Sequence, residues 1–121
     1  ARELLRLPKR PDAIFVANDH MAVAVMDVAR YEFGLSIPED LSIVGYDGTR
    51  LAGMRPLALT TVGQPLLELG TRAAALLCGQ LDGEPQGGSS TRLAPALIAR
   101  RTTAPPRSSA AISTPVPGAR T

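Results

Sequence analysis

Two short apolar runs in the first half of the chain each end in a polar side chain that could bind a small molecule. Asn18 follows the run at residues 14–17, and Asp47 follows the run at residues 41–46. An amide can donate and accept hydrogen bonds, whereas both oxygens of a carboxylate accept them. In an open parallel sheet, the loops at the carboxyl ends of neighbouring strands line the ligand crevice. We therefore expect Asn18 and Asp47 to face one site that recognises a polar small molecule.

Each of these residues also has a purely structural interpretation. Asp47 precedes Gly48, and Asp-Gly is a favoured turn pair. Asn18 is a common turn residue, and Asp19 is expected to cap a helix that begins at His20. The residue types alone therefore leave both interpretations open.

The chain offers few groups for covalent or metal chemistry. A nucleophilic triad needs a histidine beside a nucleophile and an orienting acid, yet the sole histidine, His20, directly follows the predicted cap. One histidine, one cysteine and scattered acids give no metal-ligand spacing. Glu39 and Asp40 are interpreted as solvated charge, and Cys78 as a small buried apolar residue of a helix. We expect no enzymatic activity, no metal site and no cofactor.

Length and composition indicate one modest domain, because 121 residues with 45% hydrophobic content can form a core. Residues 1–84 hold all eleven acids and eight bases, whereas residues 85–121 hold five arginines and no acid. The slight acidic excess of the first segment argues against a nucleic-acid interface there. A single cysteine excludes an intramolecular disulfide.

The beginning of the chain bears on its origin and location. The first residue is Ala1 and the first methionine is Met21, which indicates a fragment of a longer protein. Neither a charged leader with an apolar stretch nor an apolar run of membrane-spanning length is present in the sequence. The expected location is therefore the cytoplasm, and no membrane partner is expected.

Apolar periodicity predicts alternating helices and strands, which is typical of an α/β fold with a parallel sheet flanked by helices. The helix at residues 20–33 is apolar on nearly all sides, so we expect the sheet to cover one side and a second subunit another. Beyond residue 103, Pro, Ser, Ala and Thr predominate, which predicts a disordered tail at residues 104–121. The predicted elements are a helix end at 2–7, strands at 13–17, 41–46, 60–62 and 92–100, and helices at 20–33 and from Pro65 to near Asp82.

Three motifs occur in a fixed order along the chain. They are PDAIFVANDHMA at residues 11–22, GLSIPEDLSIVGYD at residues 34–47 and LTTVGQP at residues 59–65. In order and spacing they resemble the C-terminal part of the effector-binding core of LacI/GalR transcription regulators. The resemblance covers residues 2–104, so residues 1–103 are interpreted as a portion of that effector-binding and dimerisation core.

The resemblance implies a partial periplasmic-binding-protein-like core of type I and a small polar effector, sugar-like in kind, bound between two lobes. It assigns effector contacts to Asn18, Asp47 and Gln64, with Asp47 accepting hydrogen bonds from adjacent ligand hydroxyls. The chain departs from the family at Gly48, where many members carry a second acid that helps to hold the following loop.

The resemblance also implies partners. It places Val23, Met26 and Met54 at the interface of a homodimer, and it implies that DNA is bound only through an N-terminal helix-turn-helix that precedes this segment in the family. Residues 65–98 would then pack mainly on the first lobe. An extracytoplasmic solute-binding protein of a transport system shares the two-lobed architecture and is one alternative. A truncated product without activity is another.

Overall fold

The computed structural model describes residues 1–83 and 90–106, and its elements follow the predicted alternation of helices and strands. Residues 107–121 of the predicted disordered tail lie outside the described residues. The elements are α1 (Arg2–Leu5), β1 (Ala13–Phe15), α2 (Asp19–Asp27) with a π-helical continuation (Val28–Glu32), β2 (Ser42–Asp47), β3 (Thr60–Gly63), α3 (Leu66–Leu81) and β4 (Ala96–Ile98).

The four strands form one sheet in the order β1-β2-β3-β4. The first three strands are parallel, with Phe15 opposite Val44 and Gly45 opposite Thr61. The last strand is antiparallel to β3 and places Ile98 opposite Thr61. The mostly parallel α/β sheet confirms the predicted fold class, although β4 departs from the parallel direction. Because β1, β2 and β3 run the same way, their carboxyl ends meet at one edge.

The core lies between α2 and one face of the sheet. Ala22, Met26 and Ala29 recur at helical spacing and are at most 1% exposed. Removing a side chain as large as Met26 from water stabilises a fold by about 1.5–3 kcal/mol. The buried hydrophobic residues are Leu5, Val16, Ala22, Met26, Ala29, Leu41, Ile43, Ala52 and Leu59.

Helix α3 has the length that its sequence predicts, but it buries none of its side chains against the other described residues. Pro65 stands just before it and Asp82 ends it. None of its residues is buried against the other described residues, so the prediction of a buried Cys78 is wrong: the thiol is exposed. The exposed leucines of α3 are Leu66, Leu67, Leu69, Leu76, Leu77 and Leu81.

Candidate functional site

Asn18 lies at the carboxyl end of β1 and caps α2. Its backbone is extended, with φ −155° and ψ 166°, and its side-chain Oδ1 accepts a hydrogen bond of 2.8 Å from the Met21 amide. This geometry satisfies one of the free amides of the first helical turn. The prediction that Asp19 is the cap is therefore wrong by one residue. Because the cap engages Oδ1, a ligand contact by Asn18 would be donated by its Nδ2 group.

Asp19 instead points into the protein, where it is fully buried. Its Oδ1 accepts a hydrogen bond of 2.5 Å from the Thr61 hydroxyl. Its Oδ2 accepts from the backbone amide and the hydroxyl of Thr49, at 2.7 and 2.8 Å. A carboxylate removed from water requires such partners to offset lost hydration. The sequence pattern had indicated Asp19 only as a helix cap and had given no role to Thr49, whereas Thr61 was part of a recognised motif.

Gly45 explains how the start of α2 comes so close to the sheet. A Cβ atom at Gly45 would collide with Asp19 Oδ1 and would lie 3.0 Å from a methyl carbon of Leu59. Glycine at this position of β2 therefore leaves the space that the Asp19 carboxylate occupies.

Asp47 and Gln64, both predicted to contact the effector, are in direct contact with each other. Asp47 is the last residue of β2 and is half-buried. Its Oδ1 accepts a hydrogen bond of 2.9 Å from Gln64 Nε2, and its backbone oxygen accepts a longer one of 3.5 Å from the Gln64 amide. Asn18 lies at the same edge of the sheet, at the end of the neighbouring strand. The carboxyl edge thus collects all three predicted ligand residues.

The backbone of Asp47 is strained. Its φ of 109° lies in the region that favours glycine. Such a conformation costs on the order of 1–3 kcal/mol and persists only where the surroundings impose it, typically at functional sites. The strain therefore supports a functional role for the Asp47 loop.

The loop after Asp47 packs against the end of β3. Gly48 has φ 70°, and a Cβ there would lie 2.6 Å from Gly63 Cα. The Gly48 amide donates to the Thr61 hydroxyl at 3.3 Å. The departure from the family pattern at Gly48 thus has a local reason, because a side chain at this position would meet backbone.

The predicted dimer residues are placed differently from one another. Val23 is half-buried and lines a groove of about 250 Å³ between α2 and the loop that contains Pro56. Met54, in the same loop, is 54% exposed. Met26 is 1% exposed and belongs to the core. Its side chain also lines the groove beside Val23, so the dimer role of Met26 stays a prediction beside its core role.

An exposed ion pair lies away from this edge and joins α1 to the end of the π-helical segment. Arg2 donates from Nε and Nη2 to the two carboxylate oxygens of Glu32, at 2.7 and 2.6 Å. That hydrogen bonding, with the positive charges of Arg2 and Arg6, holds the pKa of Glu32 below its usual value. Within residues 1–83 and 90–106, no group of three or more His, Cys, Asp or Glu residues could hold a metal ion.

Comparison with known proteins identifies the family. The model of the periplasmic binding protein-like domain matches residues 1–103. The chain belongs to this family. The HTH-type transcriptional repressor CytR of Escherichia coli strain K12 is 39% identical over 102 residues, which are 84% of this chain and 30% of the repressor.

Solved structures give the same result for the fold. A LacI-family transcriptional regulatory protein from Corynebacterium glutamicum matches with a TM-score of 0.72 and 41% identity, over 87% of this chain and 39% of that one. A LacI family regulator from Enterococcus faecium with bound ribose matches with a TM-score of 0.75 and 34% identity, over 88% of this chain and 38% of that one. The resemblance to LacI/GalR regulators is confirmed.

The match covers a minor part of the length of each relative. The chain spans about 30% of the length of the curated repressors that it matches. No helix in the described part of the chain is long and apolar enough to cross a membrane.

Proposed function

We propose that the chain is part of the ligand-sensing core of a LacI/GalR-type transcription regulator that binds a small, sugar-like effector. The observation that carries this proposal is the Asp47–Gln64 pair at the carboxyl edge of the sheet, held on a strained backbone. The matching regulator with bound ribose supports a sugar as the class of effector.

The polar groups at this edge suit a ligand with several hydroxyls. Asp47 Oδ1 already accepts a hydrogen bond from Gln64 Nε2, so Oδ2 is the oxygen that would accept one from a ligand hydroxyl. Gln64 would add an acceptor through Oε1, and Asn18 would add a donor through Nδ2. A hydrogen bond to a charged group contributes about 1.5–3 kcal/mol, so Asp47 would be the strongest single anchor.

Effector bound between two lobes would change their relative orientation, which is a domain-closure switch. The exposed leucine-rich surface of α3 would pack mainly on the first lobe, and the groove beside Val23 together with exposed Met54 would form the surface of a homodimer. DNA would be bound through an N-terminal helix-turn-helix, and the regulator would act in the cytoplasm without enzymatic activity. The repressor names of the relatives favour this proposal over an extracytoplasmic solute-binding protein.

The test uses the complete gene product and a labelled DNA fragment from its own promoter region. Fluorescence anisotropy at physiological salt should detect sequence-selective binding, and one sugar from a panel that includes ribose should change that affinity at least tenfold. The control is the 121-residue chain, which should show no selective binding. A complete gene product that binds sugar but no DNA selectively would favour the transport alternative.

A further inference from the structure

We propose that Asp19 is a positioning residue, whose buried carboxylate fixes the loop after Asp47 and thereby sets effector affinity without touching the effector. This inference rests on the proposed function, since it concerns the same site. It assigns this role to a residue that the sequence pattern had indicated only as a helix cap.

The carboxylate of Asp19 joins three parts of the fold. It lies in the first turn of α2, and it receives hydrogen bonds from Thr61 on β3 and from Thr49 in the loop that follows β2. Asp19 and Thr61 are both fully buried. Both oxygens are therefore engaged inside the protein, which leaves Asp19 a connecting role rather than a ligand contact.

These bonds hold Asp47 from its C-terminal side. The amide of Gly48 donates to the Thr61 hydroxyl, and the amide of Thr49 donates to Asp19, so two successive amides after Asp47 are fixed. On its N-terminal side, Asp47 is fixed by pairing of β2 with β3. Held on both sides, the chain keeps Asp47 at φ 109°, a conformation that a free loop would leave.

Release of the loop would weaken effector binding, because fewer molecules would hold the conformation that binds the effector. When only a fraction of the molecules holds the binding conformation, the apparent dissociation constant rises by the inverse of that fraction. A loop that is correctly placed in about one molecule in ten would therefore bind about tenfold more weakly. The fold itself would be retained, because most core residues, among them Ala22, Met26 and Ile43, lie outside the loop.

The chain contains a matched control for the loss of a buried threonine. Thr102 is 1% exposed, accepts from the Thr60 amide at 2.9 Å and donates to the Ile43 oxygen at 2.6 Å. These partners do not include the loop after Asp47. Thr102→Val should thus destabilise the fold by an amount similar to Thr61→Val without moving Asp47.

The first measurement needs no effector. Hydrogen exchange at the Thr49 amide is followed by NMR in the 121-residue chain, with the Met26 amide as the reference for global opening. Thr61→Val should speed exchange at Thr49 at least tenfold relative to the reference, whereas Thr102→Val should leave the ratio unchanged. Equal ratios in the two variants would overturn the positioning role. Asp19→Asn, which keeps an oxygen for Thr49, should retain more protection than Asp19→Ala.

The second measurement is a calorimetric titration of the complete gene product with ribose. Thr61→Val and Thr49→Val should each weaken binding about tenfold, while Thr102→Val lowers the melting temperature with unchanged affinity. If Asp47→Asn weakens binding and both threonine variants bind as the wild type does, the positioning inference fails and the proposed site stands. If Asp47→Asn also binds normally, the proposed site fails. If the wild type does not bind ribose, ribose is not the effector. In either case, hydrogen exchange at Thr49 alone tests whether Asp19 fixes the loop.

Discussion

Gly48→Ala provides a sharp test of how the loop after Asp47 is packed. Two costs add in this variant. A non-glycine residue in the left-handed region costs roughly 1–2 kcal/mol, and Gly48 has φ 70°. The new Cβ would lie 2.6 Å from Gly63 Cα, and overpacking that must move backbone costs about 1–3 kcal/mol. The total expected loss in the free energy of unfolding is about 2–5 kcal/mol, a large part of the stability of a small domain.

Gly34→Ala is the matched control, because Gly34 has φ 63° and nothing within 4 Å of its would-be Cβ. Both substitutions carry the same backbone strain and the same loss of unfolded-state entropy. Urea denaturation of the 121-residue chain should therefore show Gly48→Ala to be less stable than Gly34→Ala by about 1–3 kcal/mol. Equal midpoints and equal slopes for the two variants would refute the close approach of Gly48 to Gly63.

The remaining predictions concern the surface ion pair, the proposed dimer surface and the packing of Gly45 against Asp19. The hydrogen bond from Arg2 lowers the pKa of Glu32. The pair therefore stabilises the fold at pH values above the unfolded-state pKa, and this stabilisation is lost as pH falls through the folded-state pKa. The difference in melting temperature between wild type and Glu32→Gln should shrink between pH 7 and pH 3. Val23→Glu should lower the mass of the sedimenting species of the complete gene product from that of a dimer to that of one subunit. An unchanged mass would indicate that Val23 only packs within its own chain. Gly45→Ala should displace the Asp19 carboxylate and destabilise the chain by about 1–3 kcal/mol in urea denaturation.

The sequence predicted the fold well where the signal was local. The apolar runs at residues 14–17 and 41–46 and the helical period from Pro65 each correspond to an observed element. The direction of β4 was not predictable, because periodicity carries no information on which way a strand pairs. The apolar surplus of the helix at residues 20–33 predicted two covered sides but not which residue faced which side, and Met26 proved to face the core.

The site was predictable only in part. Asp47 and Gln64 followed from the motifs, and the structure places them in contact. Asn18 and Asp19 are adjacent polar residues that can both cap a helix, so residue type could not decide between them. The partners of Asp19 lie 30 and 42 positions away in the sequence. Such pairings depend on how the strands align, and no local pattern reveals them.

The central claim is that Asp47 anchors the effector, and calorimetric titration of the complete gene product with ribose tests it most directly. Asp47→Asn should weaken binding roughly ten- to a hundredfold, because one hydrogen bond to a charged group is lost. Asp12→Asn makes the same chemical change before the amino end of β1, at an exposed residue, and should leave affinity unchanged. If Asp47→Asn instead binds ribose as tightly as Asp12→Asn and only lowers the melting temperature, Asp47 is a turn residue and the account is contradicted.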